Sequence, residues 1–126
     1  MHVNPQSGTD AADLFTGLLH AATQAHILHF RTKSYAAHKA LGGLYEDLPE
    51  LVDRLVEAYQ GLHGVIEDYP TYSVAPTDDA VKFVQACRTH LQQNRASVGK
   101  ESELQNIVDE IAALLDTTLY KLKNLS

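Results

Sequence analysis

Between His38 and Leu62 the chain repeats an apolar or aromatic residue at alternating intervals of three and four: His38, Leu41, Tyr45, Leu48, Val52, Leu55, Tyr59 and Leu62. Only an α-helix puts such positions on one face, because its 3.6-residue turn returns to the same side after three or four steps. A seam of this length has to be covered by other helices. Pro49 sits inside it, and Asp47-Leu-Pro-Glu50 has the form of an N-terminal capping box. The repeat keeps its phase across the proline, so the pattern predicts one helix, kinked near residues 45–49, rather than two.

The remaining segments read as three more helices. Residues 1–8 show no periodicity and are expected to form a flexible arm ahead of a single domain over 9–126. Thr9 or Asp10 is placed to cap a first helix, whose stripe of Leu14, Leu18, Ala22 and Ala25 reaches about His29 or Phe30. Ser34 is placed to cap the second. Residues 61–76, punctuated by Gly61, Gly64, Pro70 and Pro76, read as a long connection. Thr77 is then placed to cap a third helix, with Asp78 and Asp79 in its first turn and Val81, Val84 and Leu91 on its stripe. After a break at Ser97-Val-Gly99, Ser102 and Gln105 have capping-box spacing for a fourth, with Leu104, Ile107, Val108, Ile111, Leu114, Leu115, Thr118 and Leu122 inward.

Connection lengths select the topology. Short links join helices one and two and helices three and four, which implies two antiparallel hairpins. The middle link, extended at about 3.3 Å per residue, covers roughly 50 Å, more than a 20-residue helix. It can therefore run the length of the bundle and leave helices two and three parallel. The expectation is an all-α, ferritin-like four-helix bundle with one long crossover; an up-down-up-down bundle with a decorated loop is the other arrangement open.

Charge and cysteine content narrow the function. Ten basic against sixteen acidic residues give a net charge of −6, and no Lys or Arg precedes Arg31. A grip on nucleic acid needs clustered cations, so a DNA-compacting role is disfavoured. The single cysteine, Cys87, excludes an intrachain disulfide and a Cys-based zinc site, and reads as a small core residue. No stretch approaches the roughly 18 apolar residues of a membrane span. A cytoplasmic location is the expectation.

Asp53 and Glu57, four apart, stack their carboxylates one helical turn apart and suit a hard or borderline cation. The imidazoles of His26, His29 and His38 suit iron or zinc. His38, however, precedes Asp53 by fifteen residues, roughly 22 Å along a helix. One ion cannot touch both ends of that span in one chain. The site closes only across a homodimer, with His29 and His38 of one copy facing Asp53 and Glu57 of an antiparallel second copy. Plainer readings stand beside this one. The carboxylates around Arg54 also fit a solvated helix face. A histidine on an apolar seam is often bonded to a carbonyl, and His26 and His29 fit two polar positions of a bundle.

His29-Phe30, His38 and Asp53-x-x-x-Glu57, within four helices and a long crossover, resemble the starvation-inducible DNA-protecting miniferritins. The likeness covers roughly residues 14–62. It implies an iron-oxidising centre between two subunits, with His29 and His38 from one and Asp53 and Glu57 from the other. Phe30 stands where that family carries Trp, Ala58 where it carries Arg, and the interval from His29 to His38 is shorter. The segment His29–His38 also resembles small uncharacterised proteins of tailed phages, which would place the chain in the host cytoplasm or the virion. Two function classes therefore follow: a homo-oligomeric, iron-binding ferroxidase (zinc being the alternative metal), or a non-catalytic helical oligomerisation or accessory protein.

Overall fold

A computed structural model of the chain describes residues 5–71 and 77–125. Among them are four helices and no strand: α1 (Pro5–Arg31), α2 (Tyr35–His63), α3 (Ala80–Asn94) and α4 (Ser102–Asn124), with a 3-10 turn at Arg95–Val98. α1 packs against α2 and α3, and α4 packs against the same two, so α1 lies diagonal to α4 and α2 to α3.

Directions follow from side chains that bridge neighbours. At the end of α1, Arg31 Nη1 donates to the Thr77 carbonyl (3.2 Å), just before α3. Midway along α1, a Cβ added to Gly17 would lie 3.7 Å from His90 Nε2, near the end of α3. α1 and α3 are therefore antiparallel. α2 runs antiparallel to α1 through the short link 32–34, so α2 and α3 are parallel, and the end of α2 and the start of α3 lie at opposite ends of the bundle. This is the one-crossover topology expected from the loop lengths.

The core lies where the stripes meet. Leu41, Leu48, Val52 and Leu55 of the seam are fully buried, as are Leu14 and Phe15 of α1 and Leu104, Val108, Ile111 and Leu115 of α4. Phe15 meets Tyr59 edge to face at 5.4 Å between ring centroids, an arrangement that matches the ring quadrupoles. α3 contributes less: only Val84 and Leu91 are buried. Cys87 is half-buried beside the core, and burial pushes its thiol up to about 11, so it stays a protonated packing group.

Local boundaries hold in part. α2 is unbroken through Pro49, and Ser34 caps it, its Oγ accepting from the Ala37 N–H at 3.2 Å. α1 begins at Pro5, ahead of the expected Thr9 or Asp10 cap, with proline at the first position, where its missing N–H costs nothing. Residues 1–4 of the expected arm lie outside the described residues.

The α3 cap is Asp79, not Thr77. Its carboxylate accepts from the Lys82 N–H at 3.0 Å, while Thr77 Oγ1 accepts from the Asp79 N–H and forms the preceding turn. Ser102 caps nothing, because α4 is entered at Glu101. Gln105 is used across the hairpin instead. Its Nε2 donates to the carbonyls of Arg95 (2.9 Å) and Gly99 (2.8 Å), and its Oε1 accepts from Arg95 Nε (2.8 Å).

Candidate functional site

The last two turns of α1 and the first three of α2 bring together His26, His29, Phe30, Tyr35, His38 and Tyr45. The short link makes this possible. Its Thr32 N–H closes on the Leu28 carbonyl at 2.9 Å, and Ser34 starts α2 at once, so the two helices diverge from a single tight corner. His29 and His38 cross-link that corner. His29 Nδ1 lies 2.7 Å from the His38 carbonyl and His38 Nδ1 lies 2.9 Å from the His29 carbonyl. A carbonyl only accepts, so each Nδ1 carries a proton, and in the neutral imidazole that arrangement puts the lone pair on Nε2.

The two rings stack at 3.6 Å between centroids with 20° between planes. Gly42 lies against the stack: a Cβ there would stand 3.4 Å from His29 Cε1 and Nδ1, at the near edge of ordinary van der Waals contact. His26 stacks on Tyr45 at 3.8 Å and 6°, and its ring lies 4.8 Å from that of Phe30. The three imidazoles are half-buried, whereas Phe30 and Tyr35 are 72% and 74% exposed, with Ile27 at 50%. The corner thus presents more aromatic surface than the chain itself covers.

Asp53 and Glu57 stand apart from this cluster. Both are exposed on α2, and neither makes a side-chain hydrogen bond or ion pair among the described residues. Arg54 between them turns to α4, meeting Glu110 with two bonds of 3.3 and 3.1 Å. No group of three or more His, Cys, Asp or Glu side chains able to hold a metal is present among the described residues. The sequence-derived candidates therefore separate within one chain. His26, His29 and His38 form one group, and Asp53 and Glu57 lie well down α2.

The stacking also bears on what the pair can hold. A ring nitrogen binds an ion near its own plane at about 2.0–2.1 Å. Two nearly parallel planes this far apart cannot both contain one ion, so sharing it requires one ring to rotate and give up its carbonyl bond.

A second cluster, at the opposite end, escaped the sequence reading. His63, for which the sequence offers no partner, meets Glu101 at 3.0 Å from Nε2 to Oε2, and Tyr59 lies against its ring at 4.8 Å. The two residues are far apart in sequence, and only the antiparallel packing of α2 and α4 joins them. Gln60 Oε1 nearby accepts from the Ile66 N–H (3.0 Å) and the Tyr69 hydroxyl (2.8 Å), which pins the start of the crossover. Burial, then the charge of Glu101, raises the Tyr59 hydroxyl above its ordinary value. No helix is long and apolar enough to cross a membrane among the described residues.

The molecule so far is a one-crossover four-helix bundle with a ring-rich corner. Comparison with known proteins gives it a family. Residues 29–122 match the model of a family of unknown function, DUF5856, and the chain belongs to that family. It is 36% identical over 121 residues to the uncharacterized 14.6 kDa protein in the mobD-ri intergenic region of Enterobacteria phage T4, an alignment covering 93% of this chain and 92% of the phage protein. No solved structure matches. The resemblance to miniferritins thus rests on residue spacing, while the resemblance to small phage proteins agrees with this relative.

Proposed function

We propose that this chain is a non-catalytic helical association protein, a small accessory subunit of the kind a phage encodes, and that it pairs with a second copy through the α1–α2 face. The observation that carries the reading is the corner itself. Phe30 and Tyr35 stand in solvent beside rings that are locked by carbonyl bonds and stacking. Exposed aromatics around a rigid centre are what association surfaces use.

Charge supports a second copy as the occupant. Arg31, Lys33 and Lys39 cluster at the corner, while Glu46, Asp47, Glu50, Asp53 and Glu57 follow along the exposed side of α2. An antiparallel pair sets the basic end of each copy against the acidic stretch of the other, which is self-complementary about a two-fold axis. Sedimentation equilibrium tests the reading. A dimer that dissociates in Phe30→Ser/Tyr35→Ser supports it, and a monomer at every concentration rejects it.

One observation favours a second reading, in which the same pair of copies holds iron, or zinc, between His29 and His38 of one and Asp53 and Glu57 of the other, with His26 nearby. Bonding of both Nδ1 atoms to carbonyls is how ligand imidazoles are commonly oriented, and it leaves both Nε2 atoms able to coordinate. Two imidazoles and two carboxylates with open positions suit Fe(II) and its oxidation. The stacked rings count against a shared ion. Native mass spectrometry after anaerobic Fe(II) loading separates the readings: iron bound in proportion to dimers, and lost in Asp53→Ala, selects the ferroxidase.

A further inference from the structure

We propose that the contact between His63 and Glu101 is a pH-operated clasp, locking the end of α2, where the crossover departs, to the turn between α3 and α4. Three features of the geometry carry this. First, the contact is 3.0 Å, and it is an ion pair only while the imidazole is protonated. His63 occupies the last turn of α2, where the helix dipole also favours a positive charge.

Second, the carboxylate is seated in a notch made by a missing side chain. Gly99 takes φ 102°, and a methyl group on it would overlap the Glu101 carboxylate and come within 3.3 Å of His63 Nε2. Third, Glu101 Oε1 is shut away from solvent without a hydrogen-bond partner. The other oxygen is in contact with His63 and the side chain is partly exposed, so the carboxylate keeps its charge with help from its own backbone amide. The imidazolium adds a further, short-range attraction. Loss of the imidazole proton removes that attraction, so the clasp loosens.

Among the described residues, His63 is the one cationic group paired with Glu101. Tyr59 faces the pair from α2, and Tyr69 of the crossover lies beyond it. Neither supplies a cation. Lys100, next along the turn, is exposed, and it makes no ion pair among the described residues. What the clasp holds is specific. Its α2 side carries Gln60, which pins Ile66 and Tyr69 of the crossover, and its α4 side is the N-cap whose carbonyl accepts from the Leu104 and Gln105 N–H groups. Opening frees both the start of the crossover and the entry to α4.

Thermal unfolding of the full chain, with His63→Gln, Glu101→Gln and the double variant at pH 5.5 and pH 8.5, tests the clasp. At pH 5.5 each single variant is expected to melt roughly 2–4 °C below the parent, and the double variant no lower than the singles. At pH 8.5 that non-additivity is expected to fall by at least half. His63→Lys keeps a cation at both pH values and is expected to hold the coupling with Glu101 at pH 8.5. Coupling of equal size at both pH values, or none at pH 5.5, overturns the proposal.

Discussion

The two hairpins of this bundle are closed by opposite chemistries. The α1–α2 corner is held by rings, with two imidazoles stacked and each bonded to the other's carbonyl, and it leaves Phe30 and Tyr35 in solvent. The α3–α4 hairpin is held by an amide and by charges: at its turn Gln105 bridges Arg95 and Gly99 and Arg95 pairs with Asp109 at 2.6 Å, and farther along the helices Arg88 pairs with Asp116 at 2.9 Å. Polar groups satisfied by one another have little left to offer a partner. Rings that are half covered still have apolar area to bury, at about 25 cal/mol per Å². The difference teaches which closure is incomplete: the corner keeps apolar ring surface uncovered, and that is where the proposed association is sited.

The largest test asks whether the hairpins share one core. Leu41→Ala under the first and Leu104→Ala under the second each empty a fully buried site. Each is expected to cost about 2–5 kcal/mol in urea unfolding, with a single cooperative transition in both. A variant that melts one hairpin alone would break the comparison into two independent units.

Next come the closures themselves. Gln105→Ala strands the Gly99 and Arg95 carbonyls and is expected to cost about 1–3 kcal/mol, whereas His38→Ala, at a half-buried site, is expected to cost about 1 kcal/mol. Reversal of that order would show the ring closure to be the stronger. Surface pairs rank lower. Arg54→Ala, which removes an exposed bidentate pair with Glu110, is expected to cost under about 1 kcal/mol and to lose even that in high salt. Smaller still is the expected effect of Phe30→Ser and Tyr35→Ser on the stability of the isolated chain, within about 0.5 kcal/mol, whereas the same changes are expected to abolish the proposed pairing.

Acid sharpens the contrast at the far end. The field of its own backbone amide lowers the Glu101 carboxyl below the ordinary carboxylate value, opposed by partial desolvation and reinforced by His63. A lowered folded value means that its stabilisation is fully present above the unfolded carboxylate pKa and is lost as pH falls through the folded one. Glu101→Gln is therefore expected to flatten the acid side of a melting-temperature profile.

The order of legibility follows from range. Periodicity is local, so the seam from Leu41 to Tyr59 and the α4 stripe were readable, and Pro49 could be judged by the phase on either side. Loop length is local too, and it was enough for the crossover. Caps were read less well. Thr77 and Ser102 have the right chemistry, but the Thr77 hydroxyl is used by the turn before α3, and Gln105, the other half of the Ser102 box, is drawn across the hairpin to Arg95 and Gly99.

The candidate residues divide in the same way. Sequence spacing alone separated His38 from Asp53 and Glu57, because the rise of a helix fixes that distance without any packing. That His29 and His38 would lock each other's carbonyls and that His63 would find Glu101 were decided only when the helices packed. Such contacts join residues of different elements, and their distances are set by the crossing of helices rather than by the spacing along any one of them.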